Sequence, residues 1–255
     1  MQTQQPQTYP KALVYRGTRF EFNPHLVQFG DPKKTPHGSY VLNVTYPLRG
    51  TLRDGVTQVH ADVPVVLQTP VMTTNFGFSV MERDGQLKGS VDFAFYDNDS
   101  DEVHRFKETM LLWDSILLAT AKTRRVEWFK SNAKASDEII EYLFCPSVKE
   151  NVRQSDGKRF ADSLKPKVRR RSDQWQMQCF DESSKPLGVE DVTSKSRVRG
   201  LLTLTCVWLT ETSFVASLEA TQVQVVVPAQ VGGYGFIDDG NGGDDTTNIC
   251  QLAMQ

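Results

Sequence analysis

Apolar residues recur at every second position over much of this chain, and that period predicts strands. From Ser39 to Tyr46, the set Tyr40, Leu42, Val44 and Tyr46 falls on one face, with Val41, Asn43 and Thr45 on the other. Val91, Phe93 and Phe95 repeat the alternation after a turn at Asp84-Gly85. Further on, Leu202, Leu204, Cys206 and Trp208 share a face, and a hairpin near Glu211-Thr212-Ser213 leads into Phe214, Ala216, Leu218 and Ala220. There the phase slips, and Val223, Val225 and Val227 carry the apolar side. A slip inside a strand predicts a β-bulge, which lets one strand bend around the corner of a small barrel.

A different period interrupts the strands. Asn98-Asp99-Ser100 is an N-cap cluster, followed by Val103, Phe106, Met110, Trp113, Leu117 and Thr120 at three- and four-residue steps. This predicts one long helix laying an apolar stripe on a sheet. A shorter helix is expected from the Ser136 cap through Ile139, Ile140 and Leu143 to Pro146, with Val126, Trp128 and Phe129 as a packed turn between the two. Because the helices interrupt the β pattern rather than alternate with it, a doubly wound α/β sheet is disfavoured. The expected fold class is mainly β.

Composition adds an asymmetry. The 255 residues carry a formal net charge of -2, yet Lys149 to Arg171 holds nine Lys/Arg against three acids. From Gly200 onward there is no Lys or Arg, and six acids fall there, including Asp238, Asp239, Asp244 and Asp245. A basic middle set against an acidic end points to a polyanion partner for the middle. No stretch approaches a membrane span, and the first ten residues lack the features of a signal peptide, so an intracellular protein is expected. Cys145, Cys179, Cys206 and Cys250 have neither zinc-finger nor disulfide-framework spacing and read as free thiols.

Catalytic patterns are scarce. His25, His37, His60 and His104 form no paired spacing, and neither a nucleophile elbow nor a P-loop lysine is present. The six glycines between Gly232 and Gly243 read as a flexible linker. The acidic residues beside them lack the closing glutamate of an EF-hand loop. We therefore expect a non-enzyme with no metal and no cofactor.

The basic segment carries the chemistry. Lys165, Lys167 and Arg169 alternate with Pro166, Val168 and Arg170 in an extended stretch leading to Trp175 and Phe180. On a strand, such cations line one face at about 6.5–7 Å intervals, close to the phosphate spacing of a single strand. Lys149, Arg153, Lys158, Arg159, Arg170 and Arg171, with Lys195, Arg197 and Arg199 at the next strand, complete the candidate phosphate contacts. Trp175 is the first candidate to stack on a base, followed by Phe160 and Phe180. Trp208 is a further candidate that the core also claims, and Trp113 belongs to the helix stripe. Cations interleaved with aromatics are what sequence-tolerant single-strand binding needs.

Several blocks occur in a fixed order: Leu67-Gln-Thr-Pro-Val-Met-Thr-Thr-Asn-Phe-Gly-Phe78, Trp113-Asp-Ser-Ile116, Glu127-Trp-Phe129, Leu164-Lys-Pro-Lys-Val168, Ser194-Lys-Ser-Arg-Val-Arg-Gly200 leading to Val207-Trp-Leu209, and Gly233-Tyr-Gly-Phe-Ile-Asp-Asp239. In these blocks the chain resembles the short-tailed-phage type of single-stranded DNA-binding protein, in the version carried by nucleocytoplasmic large DNA viruses. The resemblance implies an OB-fold-like five-stranded barrel over residues 61–228, with a helical insertion at 100–145. An N-terminal β-rich extension (1–60) would precede it and a glycine-rich acidic tail (229–255) would follow. It implies non-catalytic, sequence-independent binding of single-stranded DNA in replication, recombination and repair, within a viral replication compartment of the host cytoplasm or nucleus, with packaging in the virion as a further option.

On the same resemblance, Asp238, Asp239, Asp244 and Asp245 would dock replication proteins such as a polymerase or primase-helicase, and a homodimer is allowed. The family's tail is denser in acid, and the phage form ends on an aromatic. This chain continues instead through Ile249, Cys250, Leu252 and Met254. The rival reading is a virion structural protein that uses its β domain for protein contacts.

Overall fold

The structure is a computed structural model that describes residues 13–16, 22–51, 58–83, 85–129, 135–153 and 155–226. The expected mainly β fold is what forms. Strands β1 (Tyr40–Thr51), β2 (Val65–Gln68), β3 (Met72–Thr73), β4 (Phe78–Arg83), β5 (Gln86–Val91) and β6 (Phe93–Phe95) precede helices α1 (Asp101–Thr123), α2 (Arg125–Trp128) and α3 (Asp137–Leu143). Then follow β7 (Val148–Val152), β8 (Arg159–Leu164), β9 (Lys167–Val168), β10 (Gln178–Phe180), β11 (Arg197–Leu209) and β12 (Phe214–Val226).

The pairings close a ring. β11 runs antiparallel to β12 along its whole length. On its other edge it meets β1, β2 and β3 in turn, ending at Arg197 opposite Thr73. Thr73 also faces Ala94 of β6, and β6 pairs with β8 at Phe93 opposite Leu164. On the far side of β12, Glu219 faces Lys167 of β9, which in turn faces Ser90 of β5. Five strand runs, β2–β3, β5–β6, β8–β9, β11 and β12, therefore enclose one core. Strand closure removes the exposed edges that would otherwise template aggregation. β1 lies alongside the ring and adds Leu42, Val44 and Tyr46 to its interior, as their alternation predicts.

The bulge expected in β12 is present. Leu201 faces Gln222 while Leu202 faces Ala220, so Thr221 is the extra residue and the apolar face passes from Ala220 to Val223. A second bulge corrects the reading of β11. Leu204 faces Leu218 but Cys206 faces Ser217, so Thr205 is the extra residue. Val207 and Leu209 then point inward, and Cys206 and Trp208 are only half-buried. Trp208 therefore does not share a face with Leu202 and Leu204.

The helices cap the barrel as the period predicts. α1 buries Val103, Phe106, Met110, Trp113 and Leu117, with Ala121 completing the stripe where Thr120 was expected. Ser100 sits at its N-cap without a side-chain hydrogen bond, and Asp101 and Glu102 in the first turn complement the helix dipole. Ser136 caps α3 by accepting from the Ile139 N–H. In the connection between these helices, Trp128 and Phe129 are buried but Val126 is exposed, so the turn packs through two residues rather than three. Asp114 of α1 clamps the start of β7, accepting hydrogen bonds from the N–H groups of Ser147 (2.8 Å) and Val148 (3.1 Å).

Cys145, Cys179 and Cys206 are free thiols. Burial, with Asp191 and Glu190 nearby, pushes the Cys179 thiol up to about 11, so it stays protonated near neutral pH. No helix among the described residues is long and apolar enough to cross a membrane.

Candidate nucleic-acid interface

Three segments meet at one end of the barrel: the turn from β3 to β4, the β7–β8 hairpin, and the loop entering β11. The turn is shaped by a buried carboxylate. Asp92 accepts backbone hydrogen bonds from Asn75 (2.5 Å), Phe76 (3.0 Å) and Gly77 (2.8 Å). Gly77 has φ +79°, and a Cβ there would lie 2.2 Å from the Val192 carbonyl oxygen, so only glycine lets the turn press against the loop entering β11. Backbone bonds join the two segments, Thr74 N–H to the Ser196 carbonyl (3.0 Å) and Lys195 N–H to the Thr74 carbonyl (3.1 Å). With its backbone held on both sides, the turn projects the Phe76 ring outward, 65% exposed.

A groove of about 600 Å³ opens between these segments, lined by Asn75, Phe76, Val152, Arg153, Phe160, Lys165 and Lys195 beside Glu150 and Asn151. Each exposed ring in it carries cations. Lys165 Nζ lies 5.8 Å from the Phe76 centroid. Arg153 and Lys158 lie 5.1 and 5.6 Å from Phe160. Lys195 Nζ donates to the Tyr96 hydroxyl (2.6 Å), which donates to Asn75 Oδ1 (2.6 Å), so this ammonium is held at the rim. The phenyl rings offer faces for base stacking, and the four cations offer charge for the backbone between the bases.

The predicted cations divide into groups. Arg153, Lys165 and Lys195 line the groove with Phe160, and Lys158 lies against that ring. Arg159 pairs with Glu150 (3.3 Å) and Arg153 with Asp156 (3.1 Å), both exposed pairs of the kind worth about 0–1 kcal/mol, so either arginine can exchange its carboxylate for a phosphate. The Lys165, Lys167, Arg169 alternation is real, with Pro166 and Val168 buried between exposed cations. It does not form one continuous ladder toward a ligand, because Lys165 reaches Phe76 while Arg169 bonds Glu219 at 2.7 Å on the barrel wall. Lys167, Arg171 and Arg197 are exposed, and Lys149 is half-buried.

Trp175 sits away from the groove. It lies in a small hairpin opposite Arg170 and is half-buried, with the Phe78 ring edge-on at 5.3 Å and the Arg170 guanidinium over it at 5.5 Å. A Cβ at Gly89 would come within 2.7 Å of this indole, so the glycine makes room for it on the β4–β5 hairpin. Phe180 is half-buried on β10 beside β12, and Trp208 is half-buried on the outer side of β11. Asp238, Asp239, Asp244 and Asp245 lie outside the described residues. Among the described residues, no group of three or more His, Cys, Asp or Glu side chains is disposed to hold a metal.

Sequence reasoning missed Phe76, Asn75 and Tyr96. The available signal was an aromatic between Asn75 and Gly77 in a turn, where no strand or helix period explains an apolar side chain.

The family described as a family of unknown function, DUF5871, matches residues 97–238, and the chain belongs to it. No curated protein matches the chain. Among solved structures it is similar to gp2.5, a single-stranded DNA-binding protein of bacteriophage T7, at 14% identity and TM-score 0.40, covering 71% of this chain and 100% of that one. It is also similar to the single-stranded DNA-binding protein of bacteriophage Enc34 in complex with single-stranded DNA, at 10% identity and TM-score 0.42, covering 81% of this chain and 99% of that one.

Proposed function

We propose that this protein binds single-stranded DNA in the Phe76–Phe160 groove, without catalysis and largely without regard to sequence. The observation that carries the reading is the pairing of each exposed phenyl ring with cations in one concavity. The cations draw the phosphates of a strand to the groove while the ring faces take its bases, and one single strand satisfies both at once. Duplex DNA hides its base faces and cannot use the rings, so the arrangement selects single strands. The reading extends to genome replication, recombination and repair in a large DNA virus, which rests on the ordered sequence blocks from Leu67 to Asp239.

The test is an anisotropy titration of a labelled single-stranded oligonucleotide against the full chain and its Phe76→Ala/Phe160→Ala double variant. Loss of about 2–6 kcal/mol is expected if each ring stacks one base. An unchanged affinity overturns the groove assignment.

A further inference from the structure

A second hollow lies on the barrel wall, where β11 carries the cations of the Ser194–Gly200 block away from the groove. It measures about 230 Å³ and is lined by Gln68, Phe180, Arg199, Gln222 and Gln224. That is smaller than the roughly 300–1,000 Å³ of sites for drug-sized ligands.

Arg199 distinguishes it. Arg153, Arg159, Arg169 and Arg170 all have carboxylate partners. Arg199 is half-buried, and its Nε is shielded from solvent with no hydrogen-bond partner among the described residues. Among the described residues no protein acceptor holds this guanidinium in place of a ligand, and its terminal N–H groups, at the hollow, are the donors a ligand there can meet.

The neighbours state what that ligand is. Gln222 donates its amide to Gln178 (2.8 Å) and Gln224 donates to the Asp181 carbonyl (3.4 Å), so their side-chain oxygens remain as acceptors at the wall. Phe180 supplies an apolar ring with no aromatic partner among the described residues. A fixed donor fork, amide acceptors and a phenyl face together suit the edge and face of one heterocyclic base. A bare phosphate would gain nothing from the ring or from acceptor oxygens. Arg197 lies two residues back along the strand at about 6.5–7 Å, where it can hold the preceding phosphate.

We propose that this hollow is a nucleobase subsite of the bound single strand, and that guanine is the base it prefers. Guanine presents two adjacent acceptors, O6 and N7, to an arginine, and its N–H groups face acceptor oxygens. The proposal rests on the single-strand reading above and adds a modest base preference to a sequence-tolerant surface.

The test uses the full chain with oligo-dT and with oligo-dT carrying isolated guanines, adenines or cytosines. Guanine-bearing strands should bind about tenfold tighter than oligo-dT, within the range of one bidentate arginine contact. Arg199→Lys, which keeps the charge but loses the fork, should bring the ratio of guanine-strand to oligo-dT affinity down to about one. As a measurement that needs no variant, a strand bearing photoactivatable 6-thioguanine should crosslink to the segment from Phe180 to Ser184. Normal oligo-dT binding with no guanine preference, or with crosslinks confined to the Phe76 and Phe160 segments, overturns the subsite alone. Absence of single-strand binding altogether overturns the underlying reading, and the subsite with it.

Discussion

The Phe76 N–H donates to Asp92 Oδ1 at 3.0 Å, tying the most exposed aromatic of the groove to a carboxylate that is only 3% exposed. Asp92 lies between Val91 and Phe93, both in the barrel core, so the position of the turn is set from the interior. Asp92→Ala should leave the Asn75, Phe76 and Gly77 N–H groups without their acceptor and cost about 1–3 kcal/mol in urea denaturation. Single-strand affinity should fall as well, because Phe76 loses its fixed orientation. Asp92→Asn, which keeps one acceptor oxygen, should fall between the two proteins.

Phe76→Ala and Phe160→Ala separate binding from folding. The rings are 65% and 39% exposed, so neither substitution should shift the urea midpoint appreciably. Each should weaken single-strand binding by about 1–3 kcal/mol, the usual value of one stacked base. A large stability loss with unchanged binding would mean that the rings serve packing instead.

Trp175→Ala should behave in the opposite way. The indole is enclosed by Phe78, Gly89 and Arg170, so its removal should cost stability, about 1–3 kcal/mol for a half-buried aromatic. Single-strand affinity should change by less than it does in Phe76→Ala. Paired denaturation and binding measurements on the two variants check the contrast.

Asp114 provides a pH signature of the clamp between α1 and β7. Burial holds its carboxyl above the ordinary 3.8, against the lowering effect of the Ser147 and Val148 N–H donors and of Lys149. The folded protein therefore keeps that proton to higher pH than the unfolded chain does. This group's contribution to stability is greatest below 3.8, declines as pH rises through the window up to the raised value, and is flat above it. The stability difference between wild type and Asp114→Asn should fall across that window in urea denaturation. A difference that rises with pH would contradict the assignment.

What could be read in advance depended on whether one phase of a pattern stood out. The bulge at Thr221 was legible because Ala220 and Val223 are apolar while Thr221 and Gln222 are not. The bulge at Thr205 was not, because after it both alternating sets, Cys206 with Trp208 and Val207 with Leu209, are apolar and either could face inward. α1 was legible from its caps and stripe. Closure of the ring was not, since it depends on contacts such as Thr73 with Arg197 that no local period encodes. The basic segment was legible as charge, but its division between the groove, Glu219 and Trp175 follows from barrel curvature. Phe76 escaped because an aromatic in a turn belongs to no period.

The most direct test of the central claim compares the affinity of the full chain for matched single- and double-stranded oligonucleotides over a salt series. Four groove cations, Arg153, Lys158, Lys165 and Lys195, each neutralising one phosphate, give a slope of log K against log salt of about −3 for the single strand. Binding to the single strand should be clearly tighter than to the duplex throughout. Equal binding to both forms, or binding to neither, would contradict the account.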